Sequence, residues 1–183
     1  MTDLALLANQ VGVSERTLRR AVNQGTLRGA RSTPGNRSLT FSERQFVRRS
    51  WELLSTVRKA LRTEPNVRFA LLFGSAAKGT DTPDSDIDLL VDLRDPALER
   101  VVDLSTKLTA IVGRPVEVVR LQEAEAEPSF LSDVVAEGRV LVDREERWVR
   151  LRRREPSLRR RGRQDASRRA EAALAGIERL LAA

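Results

Sequence analysis

Two short apolar runs constrain the fold of this 183-residue chain more tightly than any other feature. Val67-Arg68-Phe69-Ala70-Leu71-Leu72-Phe73 is nearly continuous in apolar side chains, the pattern of a strand buried on both faces. Gly74 and Ser75 follow at once, and ten residues later comes Asp86-Ile87-Asp88-Leu89-Leu90-Val91, a second strand. A helical stretch from Asp95-Pro96 to about Val112 then leads to a third, Pro115-Val116-Glu117-Val118-Val119. A helix capped by Ser129 and closed by Gly138 precedes Val140-Leu141-Val142, the last strand. Strands separated by helices predict an α/β (α+β) fold with a small mixed sheet.

Composition removes whole classes of chemistry. The chain has no histidine, cysteine or tyrosine, so serine–histidine and cysteine–histidine catalysis are excluded, as are disulfides and thiolate zinc sites. Carboxylates, hydroxyls, lysine and arginine remain, and any bound metal should be a hard cation such as Mg²⁺ or Mn²⁺. No apolar stretch reaches the 18 or more residues of a membrane span, and the N-terminal MTDLALLANQ has no signal-peptide pattern. A cytoplasmic protein without a membrane partner is expected.

Within the second strand, period-2 geometry places Asp86 and Asp88 on one face while Ile87 and Leu89 enter the core. Two carboxylates side by side repel unless a cation sits between them, so divalent-metal ligation explains the pair economically. Gly74 lets a phosphate approach the backbone. Ser75 offers a hydroxyl and opens a short helix whose N–H groups attract anions, and Lys78 in the following loop can meet a phosphate as a point charge. Glu117, one acid in an otherwise apolar strand, can serve as a third carboxylate or as an edge-strand surface charge.

The first 62 residues read differently. Thr2 caps a short helix, Gly12 turns the chain, and Ser14 caps a second helix, SERTLRRAVNQ, stopped by Gly25. Val13, Leu18 and Val22 share a face, leaving Arg16, Thr17, Arg19 and Arg20 to reach base edges and phosphates. Two extended pieces then meet at Pro34-Gly35-Asn36, flanked by Arg31 and Arg37. This stretch resembles the MerR/excisionase-like winged helix-turn-helix family. The resemblance implies DNA contacts from Ser14, Arg16, Thr17, Arg19, Arg20, Arg31 and Arg37. A helix opened by a Ser42–Gln45 capping box, with Phe46, Val47, Trp51, Leu54, Val57 and Leu61 at helical spacing, bridges to the next domain.

Charge divides the chain into three blocks: net +7 over residues 1–60, −7 over 61–143 and +7 over 144–183. Domains are accordingly expected at 1–62, 63–143 and 144–183. In the last, Trp148 and Leu151 give a thin apolar face that Pro156 and then Gly162 interrupt. The terminal QDASRRAEAALAGIERLLAA is an amphipathic helix, open to packing on the central domain or to forming a homo-oligomer.

The segment GSAAKGTDTPDSDIDLLVD followed by PVEVV resembles the minimal nucleotidyltransferase (MNT) family of the DNA polymerase beta-like superfamily. The resemblance implies that Asp86 and Asp88 ligate two Mg²⁺ ions carrying a nucleoside triphosphate, with ATP the expected one. It implies that Glu117 binds the catalytic metal and assists deprotonation of the attacking hydroxyl, while Gly74 and Ser75 hold the triphosphate. This chain departs from the family in having glutamate where aspartate is common, and Lys78 where arginine is frequent. Family members modify antibiotics, RNA ends or a HEPN toxin. The basic arms favour an anionic macromolecule. The leading expectation is a DNA-binding enzyme that transfers NMP, AMP first among them, to a protein or RNA hydroxyl as the antitoxin of a toxin–antitoxin pair. The rival is a transcriptional regulator whose degenerate domain only senses nucleotide.

Overall fold

The expected strands form for the expected reason, and their packing explains where the acids end up. The structure is a computed structural model that describes residues 3–33 and 36–181. The elements run α1 (Asp3–Gln10), α2 (Glu15–Asn23), β1 (Gly29–Thr33), β2 (Asn36–Leu39), α3 (Phe41–Arg62), β3 (Val67–Phe73) and α4 (Gly74–Lys78). They continue with β4 (Ile87–Leu93), α5 (Leu98–Val112), β5 (Val116–Arg120), α6 (Leu121–Ala124), α7 (Pro128–Glu137), β6 (Arg139–Asp143) and α8 (Arg147–Leu181).

Four strands form a mixed sheet in the order β5-β4-β3-β6. β3 is antiparallel to both β4 and β6, and β4 runs parallel to β5 through the α5 crossover that a parallel pair requires. Both faces of the sheet are covered. Phe69, Leu71 and Leu90 pack with Leu131, Val134, Val135, Leu151 and Leu158 of α7 and α8. Ala70, Leu72, Leu89 and Val91 pack on the other face with Leu54, Val57, Leu104 and Leu108 of α3 and α5.

Residues of the first 62 join that second core directly: Leu7, Leu18, Leu27, Phe46 and Trp51 are continuous with the side chains beneath the sheet. The turn after α2 also pairs with β6, the Val140 amide donating to the Gly25 carbonyl at 3.1 Å and Thr26 Oγ1 to the Val140 carbonyl at 2.6 Å. Helices α1 and α2, joined through Gly12 at φ +69°, and the antiparallel β1–β2 ribbon lie where the sequence predicts them. Thr2, Pro34 and Gly35 lie outside the described residues, as do the side chains of Arg31 and Arg37, whose backbones pair across the ribbon.

Several local expectations are corrected. The N-cap of α3 is Thr40, whose Oγ1 accepts from the Glu43 amide at 3.2 Å; Ser42 is already inside the helix. Helix α7 starts at Pro128, a residue that tolerates the first turn because its missing N–H would be unpaired there, so Ser129 is not the cap. Most instructive, α8 runs unbroken through Pro156 and Gly162. An interior proline costs about 3 kcal/mol. Burying Leu151 and Leu158 on α7, at about 1.5–3 kcal/mol each, offsets it. Gly162 is a contact point, not a breaker: a Cβ there would lie 2.6–2.9 Å from Cβ, Cα and N of Ser129. Among the described residues no helix is long and apolar enough to cross a membrane.

Candidate active site

The site grows from one register. On antiparallel β3 and β4, Phe73 stands opposite Asp88; on parallel β4 and β5, Asp88 stands beside Glu117. Three strand ends therefore meet: the C-terminus of β3, which passes into Gly74, and the N-termini of β4 and β5. Asp86 lies just before β4, whose first residue is Ile87, one residue later than the sequence pattern suggests. Asp86 and Glu117 are exposed and Asp88 is half-buried.

Gly74 has φ +68°, and a Cβ on it would lie 2.0 Å from Oδ2 of Asp88. At that φ any side chain is strained, and a Cβ would also have to displace the Asp88 carboxylate. Ser75 follows within α4, its carbonyl accepting from the amides of Gly79 and Thr80 at 2.9 and 3.1 Å. Lys78 is the last residue of α4, not part of a loop, and its Nζ pairs with Oε2 of Glu137 at 2.8 Å. Both side chains of that pair are about half exposed, so it is weak and exchangeable.

Among the described residues, the carboxylates of Asp86, Asp88 and Glu117 accept no hydrogen bond and form no ion pair, in a chain with 33 lysines and arginines. The contrast with Asp92, four residues on along β4, is informative. Asp92 is paired with Arg68 at 2.7 Å and with Arg147. A structural acid of this strand is neutralised; the three at its end are not. Burial, then the charges of Glu117 and Asp86, hold the Asp88 carboxyl above its ordinary value.

This donor set suits a hard divalent cation: three carboxylates, no nitrogen or sulfur, and mutual repulsion that a cation would relieve. Among the described residues no three acidic side chains already enclose a metal position.

Two neighbours of the site were absent from the sequence reading. Arg114, on the α5–β5 turn, donates from Nη1 to Asp81 Oδ2 at 2.8 Å, and from Nε and Nη2 to the Ser85 carbonyl at 2.9 and 2.6 Å. Asp81, only 7% exposed, also accepts at its carbonyl from Arg49 of α3. The partners are 29 to 33 residues apart, so no local pattern announces them. At the opposite end of the sheet, a cavity of about 770 Å³ contains none of the three acids. Its Lys107 and Arg100 are paired with Glu64 and Asp95.

The family model described as Polymerase beta, Nucleotidyltransferase matches residues 55–147, half of the chain and the whole of this site. The chain belongs to that family. It is a nucleotidyltransferase by descent, and its curated relatives agree. A putative protein adenylyltransferase of Methanocaldococcus jannaschii is 38% identical over 79 residues, 41% of this chain and 78% of the relative. Protein adenylyltransferase MntA of Thermococcus cleftensis is 37% identical over 68 residues, 37% of this chain and 69% of the relative. A chain of a toxin–antitoxin crystal structure with AMP-PNP aligns at TM-score 0.47 and 22% identity, covering 70% of this chain and 98% of the other. A chain of a Shewanella oneidensis structure, tri-AMPylated HEPN toxin in complex with MNT antitoxin, aligns at TM-score 0.45 and 19% identity, covering 72% and 98%.

On the face of α2, Ser14 is the N-cap, accepting from the Thr17 amide at 3.1 Å and sharing a 2.9 Å hydroxyl contact with Thr17. Arg19 pairs with Glu15 one turn back. Arg16 and Arg20 are exposed and form no ion pair with a described carboxylate.

Proposed function

We propose that this nucleotidyltransferase moves AMP from ATP to a hydroxyl of a partner protein. The observation that carries the reading is the set of three carboxylates at adjoining strand ends, unpartnered among the described residues, beside a glycine whose space one of them fills. Asp86, Asp88 and Glu117 would hold Mg²⁺, which when bound neutralises the triphosphate and aligns an in-line displacement. The acceptor oxygen bonds to the α-phosphorus, the bond from that phosphorus to the bridging oxygen breaks, and pyrophosphate leaves. The Glu117 carboxylate takes the hydroxyl proton. Gly74 and Ser75 present backbone N–H groups and a hydroxyl to the triphosphate, and Lys78 can exchange Glu137 for a phosphate.

Support for a protein acceptor comes from the curated relatives, two protein adenylyltransferases that align with this segment. The acceptor we favour is a HEPN-like toxin, with an RNA end as the alternative. A regulator that only senses nucleotide would be expected to have lost part of the acid set, and all three acids stand.

The N-terminal residues, on the same proposal, bind DNA as a winged helix-turn-helix and let the protein regulate its own operon. Arg16, Arg20 and Thr17 would face the groove, while Arg31 and Arg37 would meet phosphates; Ser14 and Arg19 shape α2. Replacing Arg16 and Arg20 by alanine should weaken operator binding at least tenfold by fluorescence anisotropy. Unchanged binding would remove the assignment. For the chemistry, label from ATP should appear on the partner in the presence of Mg²⁺ and vanish with Asp86→Ala; transfer that survives this change would sink the reading.

A further inference from the structure

The acids need more than a strand register to act together, because Asp86 sits outside the sheet on a loop. We propose that Arg114 is the positioning residue of this site: its guanidinium sets the separation between the Asp86 loop and Glu117, and so the geometry of metal and nucleotide binding. The proposal rests on the reading of the three acids given above and extends it to a residue that touches none of them.

The geometry is specific. The left-handed Gly113, at φ +73°, ends α5 and turns the chain so that Arg114 lies under the loop, and Pro115 begins the approach to β5. From there one side chain grips both ends of the loop. Nη1 meets the buried carboxylate of Asp81, and Nε with Nη2 meets the carbonyl of Ser85, the residue immediately before Asp86. On the far side of Asp86, the Ile87 amide donates to the Pro115 carbonyl at 2.9 Å. Inside the loop Thr82 and Ser85 close a turn, the Thr82 amide donating to Ser85 Oγ at 2.9 Å and the Ser85 amide to the Thr82 carbonyl at 3.1 Å. Glu117 lies three residues after Arg114. The segment that carries Glu117 thus holds the loop that carries Asp86, through three bonds from a planar group that lysine cannot reproduce.

The Arg114–Asp81 pair is partly buried, so its geometry is held. Support residues of this kind typically change metal affinity by about 10- to 100-fold.

The test is an electron paramagnetic resonance titration of Mn²⁺ with the full chain and α,β-methylene ATP. Arg114→Met should weaken Mn²⁺ binding at least tenfold while the circular dichroism spectrum is kept. Arg114→Lys, which can restore only one of the contacts, should fall between. Asp81→Asn preserves shape and the Ser85 bonds, and should weaken Mn²⁺ binding severalfold; it serves where Arg114→Met fails to fold. In steady-state transfer, kcat should drop more than KM for ATP rises. Folded variants that bind Mn²⁺ like the wild type would overturn the proposal. A wild-type chain that binds no Mn²⁺ with the nucleotide would instead overturn the reading of the acids, and this proposal with it.

Discussion

Replacing Asp88 with asparagine is expected to abolish AMP transfer and at the same time to raise the melting temperature of the metal-free protein at neutral pH. The two effects share one cause. Burial and the charges of Glu117 and Asp86 hold the Asp88 carboxyl above its ordinary value, so the folded chain binds this proton more readily than the unfolded chain. The group's favourable contribution is complete below the unfolded pKa, about 3.9. It is lost as pH rises through the higher folded value. At pH 7 the ionised carboxylate opposes folding, and asparagine removes the charge while keeping the shape. Calorimetry from pH 4 to 8 should show the gain growing with pH. Mg²⁺ with a nucleotide should stabilise the wild type by mass action and leave Asp88→Asn unmoved. Transfer should fall by at least about 10²–10³-fold, the scale of losing one preorganised electrostatic contact at a reacting centre. A variant that is less stable and still transfers would contradict both halves.

The second large effect lies between the N-terminal elements and the sheet. Arg139, at the start of β6, is 1% exposed and Glu43 of α3 is 4% exposed. Their two bonds measure 2.6 and 3.0 Å, the Arg28 amide adds a third to Glu43 at 2.9 Å, and Arg139 Nε donates to the Ala77 carbonyl of α4 at 2.6 Å. The Phe46 ring lies 3.4 Å from the guanidinium carbon. Burial pulls the Arg139 pKa down and Glu43 opposes it, so the arginine depends on its partner. Arg139→Met strands a buried carboxylate, which costs about 3–5 kcal/mol. For a chain of this size that is a fall of roughly 10 °C in melting temperature. Adding Glu43→Leu should recover most of the loss, because an apolar pair of similar volume removes the stranded charge. If the double variant melts below Arg139→Met, this account of the pair fails. The same contacts brace the glycine turn: Arg139 holds α4 at Ala77, and a Cβ on Gly79 would lie 2.9 Å from the Phe46 ring.

What was legible beforehand follows a physical line. Strands β3, β4 and β5 could be read because a buried strand is written in consecutive residues, and alternation then places the acids. Asp88 and Glu117 do stand side by side on β4 and β5, and Asp86 falls one residue before β4 instead of within it. The role of Gly74 was only half visible, since its contact with Asp88 arises from a β3–β4 register that no local pattern specifies. Arg114 with Asp81 and Arg139 with Glu43 stayed hidden, for 33 and 96 residues separate the partners. In an arginine-rich chain, the guanidinium that is buried looks like those that are solvated. Helix α8 was misread at Pro156 and Gly162 because local propensity lost to packing on α7. The exposed Lys78–Glu137 pair was hidden for the same reason as the arginine pairs, its partners being 59 residues apart.

On the proposed function, the three acids serve the breaking of one bond, between the α- and β-phosphates of a nucleoside triphosphate. That function is tested most directly by where the label goes. With Mg²⁺ and the partner protein, ATP labelled at the α-phosphate should leave its label on the partner and release pyrophosphate. ATP labelled at the γ-phosphate should leave none on the partner, and Asp88→Asn should abolish both the α-label transfer and the pyrophosphate release. Label transferred from the γ-position, or from neither, would contradict the account.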